Sequence, residues 1–415
     1  MRTKIESEII VRPFKKADLE DAIRVCARAL TGPAYEDHWR RYFTKNSYLS
    51  PGRLLIAEKD GQVVGTTGIL DFHMTLGGKL CPVDGVAAVA VDSFARRQGV
   101  ADRLVRESIH FSHRNQRPAS ALYPFRGDFY RRFGYAQVEW TEALQAQPRT
   151  LPDSEERSRV RPYRDSDRTG IERVYARASR GTTGLLKRDD VWWDWRVLME
   201  KQERLVYAPS ASGPIEGYAI CSMVDWEPMG SRHYRVMELI ANTPRAYRGL
   251  LGWLSSLGDE IGTIEIYRPR DNSLVPFLHN WTSATPPTEL YRVNHMGYLG
   301  WGMMVRITHL EKALAFRPAR GVRGSLTVEL TDPVLEANQR PVTVRFDGSK
   351  ARIARNARGH RVRADIRVFS QIWFGAVAAT QARALGQLEC NAQAAEMMDR
   401  AWYGPTPFLG PLNGF

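Results

Sequence analysis

Arg96, Gly99 and Ala101 form an Arg-x-x-Gly-x-Ala pattern with a second cation at Arg97. The pattern follows a β-branched and Ala-rich run, Val86 to Val91, that stops at Asp92 and Ser93. It precedes apolar residues at helical spacing: Ala101, Leu104, Val105 and Ile109. This is a strand, a tight basic turn and a helix start. Such a turn points several backbone N–H groups at one spot before a helix N-terminus. Unpaired amides and the helix dipole both favour negative charge, so the chemistry expected there is phosphate binding. Gly99 and Ala101 keep larger side chains from holding a phosphate away from the backbone. An ordinary β-turn-α with a surface Arg pair would read the same way, so the surrounding elements have to decide.

The chain supplies that arrangement twice. Residues 11–29 (VRPFKKADLEDAIRVCARA) and 160–178 (VRPYRDSDRTGIERVYARA) match at a constant offset of 149. A repeat of that period implies two copies of one domain fold. Each copy begins with a strand, and Asp18 or Asp167 lies where it would cap an amphipathic helix. In the second copy a strand, Val236 to Ala241, runs into NTPRAYRGLLGWL. Arg245, Arg248 and Gly249 are there, but the spacing is broken and Leu250 and Leu251 fill the close-approach positions. The second copy is therefore expected to keep the fold and lack the cofactor. Gln145 to Ser158, polar and Pro-containing, reads as an exposed linker. A second boundary falls near Tyr298 to Trp301. Beyond it come a helix (Ile307 to Ala315), three strands (Ser325 to Leu330, Pro341 to Phe346, Lys350 to Arg355) and a helical end, a small α+β domain. The divisions expected are 1–148, 149–298 and 299–415.

Composition bounds the class. The chain has 415 residues, 43% hydrophobic and 25% charged, as in ordinary globular proteins. No apolar run is long enough to span a membrane, and MRTKIESEII lacks the apolar core of a signal peptide. Cys26, Cys81, Cys221 and Cys390 are far apart, which argues against a zinc site or a disulfide framework and for a reducing cytoplasm. No metal is expected. The net charge of +13 suits nucleic acid, an anionic cofactor or acidic substrates. Residues 345–363 hold seven Arg or Lys against one Asp, at a spacing that suggests a β-hairpin with a solvated basic face. Stacking aromatics are nearly absent there, so no nucleic-acid partner is expected, and without an apolar span no membrane partner is expected either.

The turn at Arg96–Ala101 resembles the acetyl-coenzyme A (acetyl-CoA) binding turn of GCN5-related N-acetyltransferases. With the repeat and the third domain, almost the whole chain resembles the enhanced intracellular survival acetyltransferases, which acetylate amines on aminoglycosides and other substrates. VAVDSFARRQGVA, DFYRRFGY, GTTGLLKRDDVWWD and the chain end carry the likeness. The fold implied is mixed α/β and α+β: tandem GCN5-related N-acetyltransferase folds, then a sterol-carrier-protein-like α+β domain. The activity implied is transfer of an acetyl group from acetyl-CoA to a primary amine of a small molecule or lysine, by a homohexamer.

The resemblance also assigns residues. Tyr130 is the matching general acid, a phenol able to give the departing thiolate a proton. Packing as core aromatics after a strand is the other reading of Tyr130 and Tyr135, and for Tyr135 it is preferred. Phe415 matches the terminal aromatic residue whose α-carboxylate is the general base. A free α-carboxyl has a pKa of roughly 3.5, which burial would raise. Trp402, Tyr403, Phe408 and three prolines argue for a docked tail. Val89, Ala90 and Val91 would hold the pantetheine arm. Arg97, Gln98, Gly99, Val100, Ala101 and Asp102 would hold the pyrophosphate through backbone amides. Phe125 and Arg126 would line the opposite side. Trp39 matches a pocket aromatic, with Glu36 or Asp37 as displaced acids. Gly32 and Gly414 stand where aminoglycoside-acetylating members place acids, and the net charge opposes polycations. A lipid-binding protein working through an apolar tunnel in residues 301–415 is the competing reading.

Overall fold

Gly77 and Gly78, with φ of +57° and +78°, close a long hairpin that carries the first half of the site. Two left-handed residues make the turn whose twist matches antiparallel strands. The computed structural model of the protein describes residues 8–50, 52–224, 232–279, 296–317, 321–355 and 357–415. The first seven residues, read as lacking a secretion signal, lie outside them.

The first stretch runs β1 (Ile9–Pro13), α1 (Leu19–Cys26), α2 (Glu36–Lys45), β2 (Leu54–Lys59), β3 (Gln62–Leu76), β4 (Lys79–Val91), α3 (Val100–Arg114), β5 (Ala119–Leu122), α4 (Gly127–Arg131), β6 (Ala136–Gln137) and β7 (Trp140–Ala146). The second runs β8 (Val160–Pro162), α5 (Arg168–Ser179), α6 (Asp190–Trp192), β9 (Glu203–Tyr207), β10 (Gly217–Val224), β11 (Arg232–Ala241), α7 (Pro244–Ser255), β12 (Ile261–Pro269), β13 (Gly297–Trp301) and β14 (Met304–Ile307). The third runs α8 (Leu310–Phe316), β15 (Arg323–Thr331), β16 (Val342–Asp347), β17 (Ala351–Ile353), β18 (His360–Asp365), α9 (Ile366–Phe374), α10 (Ala379–Ala384), β19 (Leu388–Cys390) and α11 (Ala392–Trp402).

The two copies are interlocked. The sheets order as β1-β2-β3-β4-β5-β14-β6 and β13-β7-β12-β11-β10-β9-β8. Each takes its sixth strand from the other stretch: β14 pairs with β5 and β6, and β7 pairs with β12 and β13. The sheets therefore do not part at 148 and 298. The connection after β7, expected to be an exposed linker, is packed, because Leu151 is fully buried in the second core. The repeat is written in one ion pair. Arg12 grips Asp18 at 2.7 and 2.9 Å, and Arg161 grips Asp167 at 2.7 and 2.8 Å. Both carboxylates also accept a backbone N–H three residues upstream, from Lys15 and Arg164. They turn back toward the strand instead of capping the following helix, and the Arg partner holds each pKa below the usual carboxylate range.

The third stretch is a five-stranded sheet ordered β17-β16-β15-β18-β19 under four helices. Phe346, Phe369, Trp373, Phe374 and Trp402 are fully buried in it, where a lipid tunnel was to be sought. Its basic hairpin is partly neutralised: Arg361 and Arg363 pair with Glu329, and Arg363 reaches Glu389. This unit is fastened to the first sheet. Arg306 of β14 forms a buried ion pair with Asp332 at 2.6 Å, and Gln371 of α9 donates to the Gln137 carbonyl at 2.8 Å. Among the described residues no helix is long and apolar enough to cross a membrane.

Candidate active site

The site begins as a fault in the first sheet. β4 and β5 are parallel neighbours from Val83↔Ala119 to Val86↔Leu122, and the pairing stops there. The cause lies one strand away. The β3–β4 register shifts between Thr66 and Gly68, and Ala88 takes φ +49°. This is a bulge, which bends its strand and increases the local twist. Thr66 Oγ1 fixes it by donating to the Ala88 carbonyl at 2.9 Å. Beyond the bulge, Val89, Ala90 and Val91 are left without a strand on the β5 side.

The strand then meets the basic turn. Asp92 accepts from Phe94 N–H and caps a short 3-10 segment, Ser93–Ala95. Arg97 and Gly99 both adopt left-handed φ, +61° and +83°, and Gly99 is the N-cap of α3. Gly99 has no side chain to cap with, so the N–H groups of Val100, Ala101 and Asp102 start the helix without one. A Cβ on Gly99 would meet no atom within 4 Å. A bare strand edge, an uncapped helix start and open space before it fit the pantetheine arm and pyrophosphate of acetyl-CoA. The Gln98 side chain is engaged elsewhere, accepting from Lys59 at 2.6 Å and donating to the Phe94 carbonyl. Asp102 pairs with Arg106 and Arg132. A cavity of about 470 Å³ beside the turn is walled by Arg24, Arg28 and Lys59 as well as Asp21 and Asp60; the sequence reading missed it.

Tyr130 lies on α4, buried in a cluster with Val86, Leu122 and Tyr135 and edge-on to Phe125 and Phe129. Its hydroxyl has no hydrogen-bond partner among the described residues. Burial, and secondarily Tyr135, pushes its pKa well above that of a free phenol, so it stays protonated. Tyr135 is a core residue, its hydroxyl bound to Ser120 at 2.8 Å. Phe125 is exposed beside Tyr130, and Arg126 pairs with Asp128 at 2.8 Å.

The chain end is docked; the Phe415 ring was expected as an anchor, whereas Glu139, Arg188 and Trp192 were not. Glu139, fully buried, accepts Leu409 N–H at 2.8 Å, Gly410 N–H at 3.2 Å and Met303 N–H at 2.9 Å. Asn413 accepts from Arg188 at 2.8 Å, while Arg188 is held by Glu238 and stacked over Tyr175. The Trp192 indole donates to the Leu412 carbonyl at 3.1 Å. Phe415 then packs edge-on against Phe72, 4.8 Å between ring centres, and its ring would be 3.0 Å from a Cβ on Gly85. Gly85 and Val86 are adjacent and face opposite ways. Phe415 thus packs on the Gly85 side of β4, and Tyr130 clusters with Val86 on the other.

Trp39 packs inward against Tyr42, its indole donating to Thr31 at 2.9 Å, and the Tyr42 hydroxyl lies over Gly68. Glu36 and Asp37 are exposed in the first turn of α2, and nothing in the structure ties them to Phe415. Gly32 ends the preceding helical turn at φ +101°.

The second copy is different at the matching place. The connection shrinks from Asp92–Gly99 to Asn242–Thr243, and α7 begins at once. Thr243 caps it through Ala246 N–H, Pro244 has no N–H to offer, and Glu216 holds Thr243 and Arg245. The Thr243 hydroxyl thus serves the helix start, and the Arg245 cation beside it is already paired with Glu216. Leu250 and Leu251, expected at the turn, lie inside α7 and face the core.

Models of acetyltransferase (GNAT) domains match residues 10–138 and 184–307, and a sterol carrier protein domain matches 310–410. The chain is 27% identical over 408 residues, 92% of each chain, to a protein of Streptomyces avermitilis named an uncharacterized N-acetyltransferase. Its fold is that of a GCN5-related N-acetyltransferase from Anabaena variabilis (TM-score 0.83, 16% identity, covering 98% and 100%). It is also that of Eis1 from Mycobacterium abscessus (0.74, 22%, 98% and 100%). Two GNAT acetyltransferase domains in tandem and a sterol carrier protein domain thus make up the chain, an N-acetyltransferase that draws its acetyl group from acetyl-CoA.

Proposed function

We propose that the protein works as the enhanced intracellular survival enzymes do, with Tyr130 as general acid and the Phe415 α-carboxylate as general base. The observation that carries this reading is the docking of Phe415 on Gly85, at the point where β4 is about to leave β5. Residues 1–148 would hold acetyl-CoA, which supplies an activated thioester. Val89, Ala90 and Val91 would pair with the amides of the pantetheine arm. The backbone from Arg97 through Gln98, Gly99, Val100 and Ala101 to Asp102 would seat the pyrophosphate, and Phe125 and Arg126 would cover it. As the amine nitrogen bonds to the acetyl carbon, the carbon–sulfur bond breaks. The amine proton passes to the Phe415 carboxylate, and the sulfur takes the Tyr130 proton. Trp39, with Glu36 and Asp37 at its rim, is proposed to border the amine's approach on the side of α2.

Residues 149–298 are proposed as a scaffold without cofactor and 299–415 as the unit that delivers the carboxylate. A cytoplasmic homohexamer acting on a small amine or lysine, with no nucleic-acid or membrane partner, completes the proposal.

Calorimetry with acetyl-CoA should give one site per chain, and two equivalent sites would refute the scaffold role of the second copy. Thiol release from acetyl-CoA in the presence of amines tests the reaction. Tyr130→Phe should lower kcat by about 10²-fold, as for a lost general acid, with acetyl-CoA affinity kept. An unchanged kcat would leave Tyr130 a packing residue.

A further inference from the structure

A cavity of about 320 Å³ is lined by the chain-end residues Gly410, Pro411 and Gly414 together with strands of the second sheet and Tyr123, just past β5. Its walls tie it to both proposed catalytic groups. Gly414 lines it, one residue before Phe415. Tyr123 lines it, one residue after the last β4–β5 pair. Trp301 lines it and lies 3.1 Å from where Gly127 would carry a Cβ, at the start of the helix that bears Tyr130.

The lining chemistry is selective. Four aromatic side chains, Tyr123, Tyr267, Tyr298 and Trp301, surround the space, and no Asp, Glu, Lys, Arg or His is among the described lining residues. The nearest acids stand behind the tyrosines and are already engaged. Tyr267 donates to Glu265 at 2.7 Å, and Glu265 also takes Arg235 and Gln145. Tyr123 reaches Glu139 at 3.4 Å, a carboxylate filled by backbone N–H groups. Yet Tyr123, Tyr298 and Trp301 remain 39–50% exposed. Three large rings left half-exposed around a hollow suit a ligand that would cover them, since a core would have buried them. The volume is at the lower end for small-molecule pockets, room for one or two fused rings. A polycation would need acids that this wall does not offer.

We propose that the acyl acceptor is an arylalkylamine, its ring held by Tyr123, Tyr267, Tyr298 and Trp301 and its single amine directed at Phe415. This rests on the acetyltransferase reading of the same site. Trp39, Glu36 and Asp37 do not line this cavity and would not select the ring.

The test is thiol release from acetyl-CoA with tryptamine, phenethylamine, spermidine, kanamycin and a lysine peptide, using the full chain. The two arylalkylamines should show kcat/KM at least tenfold above the others. Tyr298→Ala and Trp301→Ala should raise KM for tryptamine about tenfold, the usual size for a truncated aromatic anchor, and leave KM for acetyl-CoA unchanged. Tyr298→Phe, which keeps the ring, should stay near wild type and guards against a folding defect. Preference for spermidine, kanamycin or the peptide would overturn the proposal. So would variants that weaken every acceptor equally, or acetyl-CoA binding with no turnover of either arylalkylamine. Failure of the underlying reading is distinguishable, because acetyl-CoA would then not bind.

Discussion

Removing Phe415, or extending the chain past it with a tag, should cut acetyl transfer by about 10² to 10⁴-fold, the range for loss of a general base. Acetyl-CoA binding should survive both changes. The tail is pinned at fixed points: Leu409 and Gly410 on Glu139, Leu412 on Trp192, Asn413 on Arg188. Gly414 and Phe415 carry the chain from Asn413 to the proposed carboxylate, so its reach is set by chain length. Deletion moves it onto Gly414 and removes the ring that packs edge-on against Phe72. A tag turns it into a neutral amide, which cannot accept the amine proton. Steady-state kinetics of untagged, N-terminally tagged and C-terminally tagged protein check this. Equal rates for all three would mean that another group takes the proton.

Gly99→Glu should weaken acetyl-CoA binding by about 10²-fold or more while the protein stays folded. Placing like charges together at a binding site costs several kcal/mol, and each 1.4 kcal/mol is tenfold. At φ +83° any L-residue is strained by about 1–2 kcal/mol. The new side chain has open space, so no clash unfolds the turn. Its carboxylate would settle before the uncapped start of α3, a place that favours negative charge, and compete there with the pyrophosphate. Gly99→Ala separates the two causes, since it keeps the strain without the charge. Calorimetry should find the Ala variant far closer to wild type than the Glu variant.

What could be read in the residues was local. The turn is written in side chains that are absent or small, so Gly99 and Ala101 announce it. The repeat is written in Arg12–Asp18 and Arg161–Asp167, pairs close in sequence. The resemblance supplied Tyr130 and Phe415, which composition and spacing alone leave as aromatic residues. The bulge that parts β4 from β5 has no such signature, because Ala88 at φ +49° looks like any alanine in a strand. Glu139 sits in a mixed stretch, AQVEWTEAL, and pairs with residues about 270 positions away, a distance across which no pattern speaks. Broken spacing in NTPRAYRGLLGWL pointed to a lost turn, but the residues blamed, Leu250 and Leu251, belong to the helix interior. The change is a deleted connection, and shortening leaves no residue behind to be read.

The strand exchange between the sheets bears on how the chain reaches its working form. β14 fills the place between β5 and β6, pairing Ile307 with Ala119. Until that strand arrives, the half of the molecule that carries the split strands has an unfilled slot in its sheet. Contacts so distant in sequence are slow to form, because loop closure must come before they are rewarded. The two halves cannot mature one after the other as beads on a string. They finish together, so a gene fragment encoding either half alone would yield a sheet with an open slot and an orphan strand, two exposed edges prone to pair with the wrong chain.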